Sequence, residues 1–146
     1  MNEYKLQNGE IAKQIVGFED YYVTQLGNIY STRWKNKRMV SALGLKLPQD
    51  LKPIKLSVVK SRRYNYANIY SNNGGRASIR IHRLVYQYHN QNTDCLREGF
   101  VIDHIDNNPL NNHIDNLQQI TQSQNIKLYH EGRLKVGNRK RTKKTQ

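Results

Sequence analysis

Residues 101 to 125, VIDHIDNNPLNNHIDNLQQITQSQN, decide how this chain is read. Val101 and Ile102 form a brief apolar strand that stops at Asp103-His104, and a long polar loop follows, Asp106-Asn107-Asn108-Pro109 to Asn111-Asn112. Thr121-Gln122-Ser123-Gln124 matches a capping box, with Thr at the N-cap and Gln at N3. A helix is therefore expected to start there and to carry Ile126 and Leu128. Neighbouring side chains on a strand point to opposite sides, so Asp103 and His104 can serve two different partners. A histidine poised near neutral pH suits a general base. A carboxylate suits a hard cation, and Asn125 in the first turns of the helix can add a second oxygen from the facing element.

Outward from this stretch, charge is unevenly spread. The 146 residues carry a formal net charge of +13, which points to a polyanionic partner, nucleic acid being the usual one. From Arg33 to Arg63 the only acid is Asp50, and from Lys127 to Gln146 the only acid is Glu131. Between them lie Asp94, Glu98, Asp103, Asp106 and Asp115, against Arg97 alone. Carboxylates facing a phosphate backbone repel it unless a cation sits between, so this acidic island suggests a metal site. The plainer reading is a solvated loop.

A hydrophobic fraction of 36% leaves room for a modest core in one domain or one domain with an arm. No apolar run approaches the roughly 20 residues that span a bilayer, and Met1 to Lys5 leads into no signal segment. The expected location is intracellular, without a membrane partner. The single Cys95 excludes an internal disulfide and a CxxC zinc clamp.

The first dozen residues show no clear periodicity. Tyr21-Tyr22-Val23 and Gly27-Asn28-Ile29-Tyr30 read as short strands, with Gly27 as punctuation, and Ser41 to Pro53 reads as loop. Tyr64 to Tyr70 and Arg76 to Ile81 read as a hairpin around Ser71-Asn72-Asn73-Gly74-Gly75, where Asn and Gly accept positive φ. His82 to His89 reads as a helix, with Leu84, Val85 and Tyr88 on its packed face. Past Gly137 the basic run has nothing to bury.

The order strand, Asp-His, Asn-rich loop, Asn-Leu, helix, Asn resembles the HNH endonucleases with the ββα-metal fold, in particular the homing-endonuclease branch of phages and their introns. IHRLVYQYHN (81–90) followed by Val101 to Asn125 carries the resemblance, and GFEDYYVTQLGNIYST (17–32) resembles the short module that often precedes HNH in such enzymes. Together these cover most of Ile15 to Lys127.

The resemblance implies that His104 is the general base, that Asp103 and Asn125 hold one divalent metal ion, Mg²⁺ or Mn²⁺, and that Asn116 holds the catalytic loop and orients the histidine. It also implies double-stranded DNA as substrate and products ending in a 3′-hydroxyl and a 5′-phosphate. Many relatives carry a further C-terminal recognition module, where this chain has a basic tail.

The expected architecture is α+β. A β-rich DNA-binding module occupies residues 1–81, a ββα-metal nuclease unit 82–130 and a basic tail 131–146. Candidate phosphate or groove contacts are Arg33, Lys35, Lys37, Arg38, Arg62 and Arg63, with Arg139, Lys140 and Arg141 in the tail. His82, His89 and His113 are read as structural or solvent-facing, and Asp106 and Asp115 as turn formers. One catalytic unit per chain implies a nick from a monomer, and a double-strand break from a dimer. If the gene is a phage's, the enzyme works in the cytoplasm of a bacterial host. Two rival readings are a catalytically dead DNA-binding protein on the same scaffold and a basic RNA-binding protein.

Overall fold

The computed structural model describes residues 2–33, 52–53, 57–59, 64–90 and 98–131. Lys35, Lys37, Arg38, Arg62, Arg63, Arg139, Lys140 and Arg141 lie outside the described residues, as do most of the 41–53 loop and all of the tail past Glu131. Strands β1 (Glu3–Lys5), β2 (Ile11–Ile15), β3 (Phe18–Thr24), β4 (Ile29–Ser31) and β5 (Lys52–Pro53) form an antiparallel sheet in that order. A second sheet joins β6 (Ser57–Val59), β7 (Tyr64–Tyr70) and β8 (Arg76–Arg80). Helix α1 (Ile81–His89) follows directly. The chain then forms the two-stranded β9 (Phe100–His104) and β10 (Leu117–Thr121), joined through a 3₁₀ turn at Ile114–Asn116, and ends in helix α2 (Gln122–His130). This is an α+β fold with a strand-rich N-terminal half followed by a ββα unit.

Several strands differ from the sequence reading. β1 and β2 fall where no periodicity was visible, because half-buried strands this short show too few alternations to register. Gly27, read as punctuation before the strand, does sit in a turn: its N–H donates to Thr24 O at 3.0 Å, and its φ is +87°. Ile81 opens the helix instead of closing β8. Asp103 and His104 are the last two residues of β9, at the strand end as read, and β10 supplies partners for both.

The core forms around α1. Ile81, Leu84, Val85 and Tyr88, at i, i+3, i+4 and i+7, are all buried, and His82 and Tyr86 are buried as well. Burial this wide follows from position, because strands of all three sheets pack on the helix. Ile15, Tyr21, Val23 and Ile29 reach it from the first sheet, Ala67 and Ile69 from the second, and Leu117 from β10. Each fully buried aliphatic side chain contributes roughly 1.5–3 kcal/mol. Two polar contacts fix the helix's C-terminal end: Val16 N–H donates to Tyr88 Oη at 2.8 Å, and His89 Nε2 donates to Val23 O at 2.8 Å. Among the described residues no helix is long and apolar enough to cross a membrane.

A buried carboxylate organises the β3–β4 turn. Glu10, 6% exposed, accepts from Asn8 Nδ2 (2.6 Å), Asn28 Nδ2 (3.1 Å) and Tyr30 Oη (3.2 Å). Burial alone would raise its pKa, but hydrogen bonds from Thr24, Asn28, Tyr30 and Asn8 outweigh it and hold the carboxyl below its ordinary range. Gln25, in the same turn, accepts Ile11 N–H through Oε1 at 2.7 Å, and its backbone oxygen accepts Ile114 N–H at 2.9 Å. The upstream sheet is thereby fastened to the loop that joins β9 and β10.

Candidate active site

The antiparallel register of β9 and β10 sets Gln118 opposite Asp103 and Leu117 opposite His104. Alternation sends the two site residues to different sides of the ribbon. Asp103 is half-buried, and its Oδ2 accepts from Gln118 Nε2 at 2.9 Å, which holds the carboxylate in place. His104 turns inward and is 5% exposed. Its ring lies against Tyr64 of β7 (centroids 6.1 Å, stacked) and edge-on to His82 of α1 (5.1 Å).

A single asparagine ties both ends of the loop between the strands. Asn116 Oδ1 accepts from Asp106 N–H (3.1 Å), and its Nδ2 donates to Asp106 Oδ1 (2.9 Å) and to Asn111 O (2.8 Å). Its backbone oxygen accepts Ile105 N–H at 2.8 Å, so the residue after His104 is held directly. Asp106 completes the loop by accepting from Asn108 N–H and Asn111 Nδ2, each at 2.8 Å. Hydrogen bonds, first from Asn111 and then from the Asn108 backbone, hold the Asp106 carboxyl below its ordinary value. Asp106 is thus a turn former, and Asp115 donates its N–H to His113 Nδ1 at the start of the 3₁₀ turn.

The capping box is present. Gln124 N–H donates to Thr121 Oγ1 (3.1 Å), and Thr121 N–H donates to Gln124 Oε1 (2.8 Å). Helix α2 packs on β9 and β10, which puts half-buried Asn125 on the element adjoining Asp103. Among the described residues no cluster of three or more His, Cys, Asp or Glu could hold a metal. One carboxylate with one amide oxygen is a sparse donor set, and it suits a cation that keeps several waters, as Mg²⁺ does.

The sequence reading passed over two residues. Asn112 is 4% exposed, and its Oδ1 lies 3.1 Å from His104 Nε2. Arg80 is half-buried on β8: its Nε donates to Tyr66 Oη at 3.2 Å, and its guanidinium sits 5.3 Å from the centre of the Tyr64 ring, the ring that stacks on His104. Of the earlier phosphate candidates, Arg33 alone falls among the described residues, and it lies over the Tyr70 ring at 4.4 Å.

His82, which is buried, and His89, which is half-buried, behave as structural groups. Desolvation lowers the His82 pKa to about 3, with His104, Arg80 and Arg83 adding charge repulsion, and its Nδ1 has no hydrogen-bond partner among the described residues. Desolvation also lowers His89. Both are neutral in the fold and take up a proton near pH 6.5 once unfolded, so the unfolded state binds more protons below that pH. Stability is therefore full above about pH 6.5 and falls as pH drops toward 3, by up to about 1.4 kcal/mol per pH unit from His82, with His89 acting in the same direction. Thermal melts at pH 7.5 and pH 5 are expected to show a lower midpoint at pH 5, with a shallower loss in His82→Phe. Equal midpoints at the two pH values would contradict it.

Residues 80–127 match the HNH endonuclease family. No curated protein matches the chain. Among solved structures it is similar to the one described as "DNA binding and cleavage by the HNH homing endonuclease I-HmuI", with a TM-score of 0.64 and 27% sequence identity. The similarity covers 84% of this chain and 59% of that one, so this chain spans less than two thirds of the neighbour's length.

Proposed function

With residues 80–127 matching the HNH endonuclease family, we propose that this chain is a metal-dependent DNA endonuclease of the homing type, with His104 as its general base. The observation that carries this reading is the setting of His104. Its ring is buried against Tyr64 and His82, one nitrogen is committed to Asn112, and Asp103 precedes it on the same strand. Asn112 Nδ2 lies 3.4 Å from Leu110 O, which orients the amide with Oδ1 toward the imidazole. With Nε2 as the donor to Asn112, the lone pair that would take a proton is on Nδ1.

In the proposed reaction His104 Nδ1 removes a proton from water as the water oxygen bonds to phosphorus. The bond from phosphorus to the 3′ oxygen breaks, and that oxygen leaves as a 3′-hydroxyl after gaining a proton from solvent. The other product keeps a 5′-phosphate. A divalent cation held by Asp103 and Asn125, Mg²⁺ or Mn²⁺, would supply positive charge for the crowded phosphate and the departing oxygen. Asn116 keeps the loop, and with it the histidine, in register. Arg80, held by two tyrosines and without an acidic partner among the described residues, is suited to a phosphate oxygen beside the scissile group.

In this account residues 1–81 lie along the duplex, residues 82–130 cut, and the tail from 131 adds phosphate contacts. The protein works inside the cell as a monomer that nicks, with a dimer needed for a double-strand break. Incubation with pooled genomic DNA tests the function. Cleavage is expected with Mg²⁺ and none with excess EDTA, and binding should weaken steeply as salt rises, as a net charge of +13 requires. DNA that is bound but never cut would replace this reading with that of a DNA-binding protein on a nuclease scaffold. Preference for RNA in competition would overturn both.

A further inference from the structure

An imidazole that takes a proton from water must keep the lone pair on one chosen nitrogen and hold that nitrogen still. The other nitrogen has to carry the hydrogen and be anchored. Around His104 the anchor is a side chain: Asn112 Oδ1, 3.1 Å from Nε2, with both residues buried. Tyr64 and His82 meet the same imidazole through ring faces and edges, which pack it without selecting a tautomer.

Asn112 is itself held from behind. A Cβ added to Gly27 would lie 2.8 Å from Asn112 Cβ, and 3.4 Å from both Asn112 O and Ile81 Cγ2. The β3–β4 turn therefore approaches the loop as closely as a glycine allows. Next to this contact Ile114 N–H donates to Gln25 O at 2.9 Å, fastening the turn and the loop together. The same turn is braced by the buried Glu10, through its bond from Asn28.

We propose that Asn112 is a positioning residue that fixes His104 as its Nε2–H tautomer, and that the Thr24–Asn28 turn of the upstream sheet is the buttress that keeps Asn112 in place. The consequence for the reaction rests on the nuclease reading given above, but the tautomer does not. The upstream module then has a second duty beside DNA binding, since it backs the catalytic loop.

The experiment has two readouts on the full-length chain. Long-range ¹H–¹⁵N spectra of the imidazoles, with His104 assigned from a His104→Gln variant, report the tautomer. The expected result is Nε2–H in the parent, becoming a mixture in Asn112→Ala. Single-turnover cleavage at saturating DNA is expected to fall about 10²-fold in Asn112→Ala, with the DNA dissociation constant unchanged, because loss of orientation costs rate rather than binding. Asn112→Asp keeps an acceptor at the same place and is expected to recover to within about tenfold of the parent.

An Nδ1–H tautomer in the parent overturns the proposal. So does parental cleavage in Asn112→Ala, and so does equal loss in the Ala and Asp variants, which would make packing and not the acceptor the cause. Should the parent show the Nε2–H form, lost in Asn112→Ala, and yet cut no DNA, the positioning stands and the nuclease reading fails.

Discussion

Substitution of His104 by alanine is expected to lower the cleavage rate about 10³-fold, within the range that loss of a general base produces. Binding of DNA should be kept, because His104 is 5% exposed and offers little surface to a duplex. The alanine also leaves a space between Tyr64, His82 and Asn112, so a stability loss of roughly 1–3 kcal/mol is expected beside the catalytic one. His104→Gln separates the two effects. It restores most of the volume but supplies no base near neutral pH, so stability should recover while the rate stays low. Single-turnover rates and melting midpoints on the same three proteins check this.

Asp103→Ala is expected to have the second largest effect, also near 10³-fold, since a bound cation is worth several kcal/mol of charge stabilisation and each 1.36 kcal/mol is a tenfold change. The sign of its effect on binding is opposite to that of a lost contact. Without metal the Asp103 carboxylate repels phosphate, so Asp103→Ala should bind DNA in EDTA at least as tightly as the parent. In Mg²⁺ the variant should gain nothing. Asn125→Ala should act in the same direction on rate, more weakly, because it removes a neutral oxygen. An Asp103→Ala protein that cuts at the parental rate would remove Asp103 from the metal site.

Much of the ββα unit was legible because its signals are local. The Thr121–Gln124 capping box needs four consecutive residues, and the helix began where it pointed. The 64–80 hairpin was readable from one Asn-Gly turn between two strands. Asn116 could be assigned a loop-holding role only through resemblance, and its bonds to Asp106 and Asn111 now give that role a physical form. β1 and β2 were not legible, being short and half-buried.

Asn112 stood in plain view inside the loop but carried no distinguishing mark. Its role depends on Gly27, far upstream in the chain, and no periodicity links the two. Arg80 was hidden in the same way, since its importance comes from the Tyr64 ring that it shares with His104. Tertiary proximity made both visible.

If His104 activates water for attack on a DNA phosphate, both the yield of cut ends and their chemistry depend on its imidazole. Pooled genomic DNA incubated with Mg²⁺ and the parent protein, beside the His104→Ala variant, tests it when the new ends are ligated directly. Ligatable ends, a 5′-phosphate beside a 3′-hydroxyl, are expected from the parent and almost none from the variant. Equal yields from the two proteins, or ends that ligate only after phosphate is removed from the 3′ side, would contradict it.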